Sequence, residues 1–144
     1  MTVELLKTDD TIKYKKELKI LLENLKIENA EELITDLKGY IKENQCFCIG
    51  AFENNELIGI LWSYMRYFAG EERFHINYFS ISLNYRGKGI GSLLLKKLQE
   101  IAVDKNVKII DLNVDIENIR AQNFYKKNKF KEEKIFLSLE VGEV

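Results

Sequence analysis

The chain has no proline, one histidine, one tryptophan and two cysteines among its 144 residues. Without proline, glycine and asparagine must carry the turns. Cys46 and Cys48 stand two apart in an apolar stretch that reads as a strand, so both face one side. A disulfide framework would need more thiols and a metal centre more Cys or His nearby; the pair reads as small apolar core. No apolar run approaches the ~20 residues of a membrane helix, and Met1-Thr2-Val3-Glu4 lacks a basic-then-apolar leader pattern, so a cytoplasmic protein is expected. Neither sign of charge dominates: 22 Lys and Arg stand against 23 Asp and Glu. That balance gives no support to a nucleic-acid or membrane partner. There is no internal repeat, low-complexity tract or linker, and one domain over residues 1–144 is expected.

The most informative stretch is Ser82-Leu83-Asn84-Tyr85-Arg86-Gly87-Lys88-Gly89-Ile90-Gly91-Ser92. Before it, Phe74 to Ile81 is aromatic and β-branched, as in a strand. After it, Ile90, Leu93, Leu94, Leu98, Ile101 and Ala102 recur at helical spacing. A strand, a glycine turn and a helix start gather backbone N–H groups around one point, where the helix dipole favours an anion. Gly87, Gly89 and Gly91 let a phosphate approach the backbone, and Arg86 and Lys88 add positive charge. The segment reads as a phosphate cradle. It is not a P-loop, which needs Gly-x-x-x-x-Gly-Lys and then Ser or Thr. Nor does it have the Gly-x-Gly-x-x-Gly spacing of a dinucleotide fingerprint.

Along the rest of the chain, Thr2 to Lys7 reads as a strand and Thr8-Asp9-Asp10 as capping residues. One helix is expected from Thr11 to Leu25 and another from Asn29 or Ala30 to Lys42. Cys46 to Phe52 and Leu57 to Tyr67 read as a hairpin around Asn54-Asn55, followed by a loop from Phe68 to Arg73 and a strand from Phe74 to Leu83. Val107 to Val114 reads as a strand parallel to that one, because a helical crossover links them. A short helix from Asn118 to Lys127 and a strand or strand pair within Lys131 to Val141 close the chain.

The segment Arg86-Gly87-Lys88-Gly89-Ile90-Gly91 resembles the acyl-CoA-binding motif Arg/Gln-x-x-Gly-x-Gly/Ala of the GNAT superfamily of N-acyltransferases. A second motif of that family, Asn, Ala three residues on, an aromatic-Tyr pair and then Gly-Phe, is matched by Asn118, Ala121, Phe124, Tyr125 and Phe130. Lys129 stands where the family usually has Gly, and Asn84 replaces a frequent Pro. Asn128 is expected to take the left-handed position in place of Lys129. The resemblance implies an α+β, three-layer fold: a mixed, mostly antiparallel sheet of six or seven strands with a central parallel pair, flanked by about four helices.

It also implies transfer of an acetyl group from acetyl-CoA to an amine of a small molecule or peptide, by a monomer or homodimer; no metal is expected, because no His/Cys/carboxylate cluster shows ligand spacing. Residues Arg86, Gly87, Lys88, Gly89, Ile90 and Gly91 would hold the pyrophosphate. An N–H around Phe79 to Ile81 would polarise the thioester carbonyl, Asn118 would contact the pantetheine arm or order the helix start, and Tyr125 would be the general acid. The general base is open among Asp111, Asp115, Glu72, Tyr78 and His75, since Asn113 stands where some members have Glu. Trp62, Tyr64, Tyr67 and Phe68, with Glu71 and Glu72, offer an aromatic and acidic acceptor surface. The alternative is a non-catalytic acyl-CoA-binding regulatory module.

Overall fold

The computed structural model describes residues 1–142, so the last two positions of the expected 1–144 domain lie outside the described residues. The chain falls into two compact units, Met1–Asn113 and the segment from Val114 onward.

The first unit is a five-stranded sheet in the order β1 (Thr2–Leu5), β2 (Phe47–Glu53), β3 (Glu56–Phe68), β4 (Glu71–Ile81) and β5 (Ile109–Leu112). The first four strands are antiparallel, and β5 runs parallel to β4. Both tight turns rest on positive φ. Asn54 (51°) and Asn55 (63°) link β2 to β3, a pattern that matches the natural twist of a hairpin. Ala69 (53°) and Gly70 (83°) link β3 to β4. The loop expected from Phe68 to Arg73 thus contracts to two residues, and Glu71, Glu72 and Arg73 belong to a strand.

Helices α1 (Thr8–Lys13), α2 (Lys15–Glu23) and α3 (Ala30–Lys42) cover one face of the sheet. Leu18, Leu21, Leu22, Ile34 and Leu37 pack there with Cys48, Ile60 and Trp62, and the Ser80 hydroxyl donates to the Leu21 carbonyl at 2.7 Å. The single helix expected from Thr11 to Leu25 is broken at Tyr14 (φ −108°, ψ 25°). That residue leaves the helical region, and its ring packs 5.0 Å from Phe52. Helix α4 (Ile90–Asp104) covers the opposite face, where Leu94 and Ile81 close over Gly59. Its buried stripe includes Leu95, whereas Leu93, expected in the core, is exposed. Cys46 and Cys48 are buried free thiols. Burial pushes the Cys46 thiol up to about 11 and raises Cys48 too.

In the second unit, α5 (Ile119–Lys127) starts at Asn118, whose side chain accepts the Ala121 N–H at 3.1 Å. At its far end Lys129, not Asn128, takes the left-handed conformation (φ 70°). Asn128 instead keeps a negative φ and donates its side-chain amide to the Phe124 carbonyl at 2.9 Å. The closing strand expected within Lys131 to Val141 does not form among the described residues, which leaves five strands where six or seven were expected. Its apolar residues Ile135, Phe136, Leu137, Leu139 and Val141 are exposed. Alternating apolar residues make a strand only when a neighbouring edge takes up their N–H and C=O groups.

Candidate active site

The cradle is built by the transition from β4 to α4. A single 3₁₀ turn, Leu83–Tyr85, follows β4, and Arg86 continues in extended conformation (φ −69°, ψ 150°). Gly87 (φ 76°) and Gly89 (φ 77°) then turn the chain through left-handed space into the helix. Gly89 is the N-cap, and its carbonyl accepts the Leu93 N–H at 3.2 Å. Among the described residues, the amides of Gly87, Lys88, Gly89, Ile90 and Gly91 donate no hydrogen bond. A Cβ added at Gly87 or Gly89 would meet nothing within 4 Å. The turn therefore presents consecutive unsatisfied donors, at the positive end of a 15-residue helix, to open space. The Lys88 ammonium stays beside it, 5.3 Å from the centre of the Tyr85 ring.

A fork in the sheet leads up to the cradle. The parallel register of β4 and β5 runs from Arg73–Ile109 to Ile76–Leu112, where β5 ends while β4 runs on to Ile81. Against β3 the register slips between Trp62–Tyr78 and Ser63–Ile76, so Asn77 is the extra residue of a bulge at the same level. Phe79 and Ile81 lie beyond the bulge, opposite Leu61 and Gly59 of β3.

Just below the fork, neighbouring strands place a polar cluster that the linear sequence conceals. Asp111 on β5 stands beside His75 on β4, and its Oδ1 lies 2.6 Å from the His75 Nδ1. Its Oδ2 accepts from Arg66 at 3.0 Å and from Arg73 at 3.4 Å. Both guanidiniums also lie against the Phe68 ring, at 4.6 and 5.3 Å. Arg73 is buried and reaches Glu71 at 3.4 Å. The Arg66 Nε is buried with no hydrogen-bond partner among the described residues. The Tyr64 ring packs edge-on against His75 at 5.5 Å. Burial works to raise the Asp111 carboxyl, but the hydrogen bonds from His75 and Arg66, with their charges, outweigh it and hold the group below its usual value.

Of the residues considered as a base, the structure brings His75 and Asp111 together. Glu72 is exposed opposite Tyr67, and Tyr78 packs its ring on Trp62 at 5.1 Å. Of the aromatic residues expected in the acceptor surface, Trp62 is buried and only Tyr67 is largely exposed. Sequence reasoning passed over Arg66 and Arg73. Their signal lay in cross-strand register, since the two face each other across the β3–β4 pair.

In the second unit, the Tyr125 ring sits 5.4 Å from both Phe124 and Phe130, and the Tyr125 carbonyl accepts the Phe130 N–H at 2.9 Å. Burial pushes its phenol up to about 12. A group shifted in that direction keeps its proton throughout the neutral range.

A profile of the acetyltransferase (GNAT) family matches residues 13–130. A Bacillus subtilis protein of uncharacterised function, YxbD, is 29% identical over 86 residues, covering 60% of this chain and 50% of that one. An uncharacterised N-acetyltransferase of Methanocaldococcus jannaschii is 38% identical over 52 residues, 36% of this chain and 23% of that one. The chain thus spans half or less of the length of these curated relatives. Among solved structures, an aminoglycoside acetyltransferase from an uncultured soil metagenomic sample, in complex with trehalose, superposes with a TM-score of 0.79 at 21% identity. That match covers 99% of this chain and 96% of the other. A ribosomal-protein-alanine N-acetyltransferase of Brucella melitensis superposes with a TM-score of 0.75 at 16% identity, over 98% and 99% of the two chains. These likenesses establish a shared fold.

Proposed function

The chain belongs to the acetyltransferase (GNAT) family, and from that premise we propose that it transfers an acetyl group from acetyl-CoA to an amine of a small molecule or peptide. The observation that carries this reading is the row of unsatisfied amides from Gly87 to Gly91, with open space at its two left-handed glycines, Gly87 and Gly89. Those donors fit a diphosphate: several N–H groups converge where the helix dipole is positive, and no side chain fills the space. Arg86, Gly87, Lys88, Gly89, Ile90 and Gly91 would hold the pyrophosphate of coenzyme A. Acetyl-CoA supplies the activated acyl group as a thioester.

The chain's own residues supply position and protons. An amide on β4, between Phe79 and Ile81, would donate to the thioester oxygen. Such a donor is worth about 3–4 kcal/mol when charge develops there. Asn118 orders the start of α5 through its bond to Ala121, and a contact with the pantetheine arm would use the same residue. Tyr125 would give its proton to the departing sulfur. The acceptors of the two named neighbours, an aminoglycoside and a ribosomal-protein alanine, bracket the class, a small-molecule amine or a peptide N-terminus. No strong charge excess supports nucleic acid or a membrane as partner, and a monomer or homodimer is proposed.

Free thiol released from acetyl-CoA, measured over a panel of amines and peptides alongside direct binding of coenzyme A, tests the reading. Tight binding with turnover on at least one acceptor is expected. Binding without turnover on any acceptor would favour a non-catalytic acyl-CoA-binding module.

A further inference from the structure

We propose that His75 is the general base, receiving the proton of the acceptor ammonium on Nε2 while Asp111 acts as the positioning residue on Nδ1; the assignment rests on the acyltransferase reading. Three observations carry it. First, a carboxylate oxygen can only accept, so the 2.6 Å contact to Asp111 Oδ1 places the ring proton on Nδ1 and leaves the Nε2 lone pair available. Second, no other described group hydrogen-bonds the ring. Third, the pair sits one rung before the register of β4 and β5 ends, at the mouth of the fork.

The surrounding charges divide the labour. Arg66 from β3 and Arg73 from β4 share Asp111 Oδ2, which reserves Oδ1 for the imidazole. Asp111 is itself a poor base, because those same bonds hold it ionised. The groups facing the ring are Asp111 from β5 and Tyr64 and Arg66 from β3, with Arg73 on its own strand and Glu71 paired to Arg73. In the reaction, the ammonium gives one proton to Nε2, and the freed nitrogen lone pair forms the C–N bond as the C–S bond breaks. The sulfur takes a proton from Tyr125, the nitrogen's second proton restores that phenol as the amide forms, and Nε2 passes its proton to water. The balance is one amide, one thiol and one proton released to water.

Because His75 is the sole histidine, imidazole resonances of tag-free protein need no assignment. Nitrogen NMR of the unliganded protein is expected to show the Nδ1–H tautomer with an unprotonated Nε2, and Asp111→Asn should shift that balance. With acetyl-CoA and the fastest amine of the panel, His75→Gln should lose about 10²–10⁴-fold in kcat/KM, the range typical of a removed acid–base group. Its coenzyme A affinity should stay within about twofold of the wild type. The acidic limb of the rate profile should change, and added imidazole should restore part of the rate to His75→Gly. An Nε2–H tautomer in the wild type, or full turnover in His75→Gln, overturns this assignment alone. Coenzyme A binding with no turnover in the wild type overturns the acyltransferase reading, and this assignment with it.

Discussion

Replacing Gly89 by valine separates the cradle from the fold that carries it. At φ 77° a residue with a Cβ is strained by about 1–2 kcal/mol. The added side chain meets no protein atom within 4 Å, so strain is the whole cost to the folded chain. For a chain of this size each kcal/mol moves Tm by ~2–4 °C, and the variant should melt roughly 2–8 °C lower and still cooperatively. Acetyl-CoA at 100 times its dissociation constant adds ~2.7 kcal/mol to the wild type, a rise of roughly 5–11 °C. In Gly89→Val that rise should vanish, because the methyl groups project into the space above the open amides. Gly70→Val is the matched control: it has similar backbone strain at φ 83° and equally open surroundings, but lies in the β3–β4 turn. It should lose comparable stability and keep the ligand-induced rise. Differential scanning fluorimetry with and without acetyl-CoA reads both. A full rise in Gly89→Val, or its loss in Gly70→Val as well, would refute the cradle argument.

Tyr125→Phe should keep coenzyme A affinity and lose about 10²-fold in turnover. In the wild type the Tyr125 phenol, raised from 10.0 to about 12, stabilises the fold fully below pH 10 and progressively less as pH rises through about 12. The phenolate absorbance of the wild type should therefore include a late step near pH 12 that the variant lacks. Asp111 shifts the other way: its contribution is present above the unfolded value of 3.8 and is lost as pH falls through its lower folded value. Acid unfolding of Asp111→Ala should lack that step, and the variant, in which Arg66 loses its carboxylate while Arg73 keeps Glu71, should be destabilised by about 3 kcal/mol in urea titration. Cys46 and Cys48 should resist a thiol reagent at pH 8 and react at the rate of unfolding, since burial raises both thiols.

The glycine turn was legible because its geometry is local. Three glycines, a flanking strand and an amphipathic helix specify one turn, and the structure places left-handed φ at Gly87 and Gly89. The Asn54-Asn55 hairpin and the Asn118 cap were readable for the same reason. Tyr14 shows where local reading stops: helical spacing continues through it, but packing on Phe52 outweighs propensity and splits the helix. The shared carboxylate of Asp111 was hidden because its partners lie 45, 38 and 36 residues away in sequence. Only sheet register brings them together. The tail failed differently, since period-two apolar patterning records a capacity to pair and says nothing of which edge receives it.

The order of the strands has a consequence for how the molecule assembles. Strands β1 to β4 each lie beside a neighbour in sequence, and the β2–β3–β4 meander closes through two short turns. Its contacts are local and carry little loop-closure penalty. The two outer strands must wait for helices to fold across the sheet: β1 for α1 to α3 and β5 for α4. A nascent or partly melted chain therefore keeps its meander and loses its outer strands first, and with β5 the fork at the end of that strand. The fork beside the glycine turn is then among the last features formed on folding and the first lost on warming.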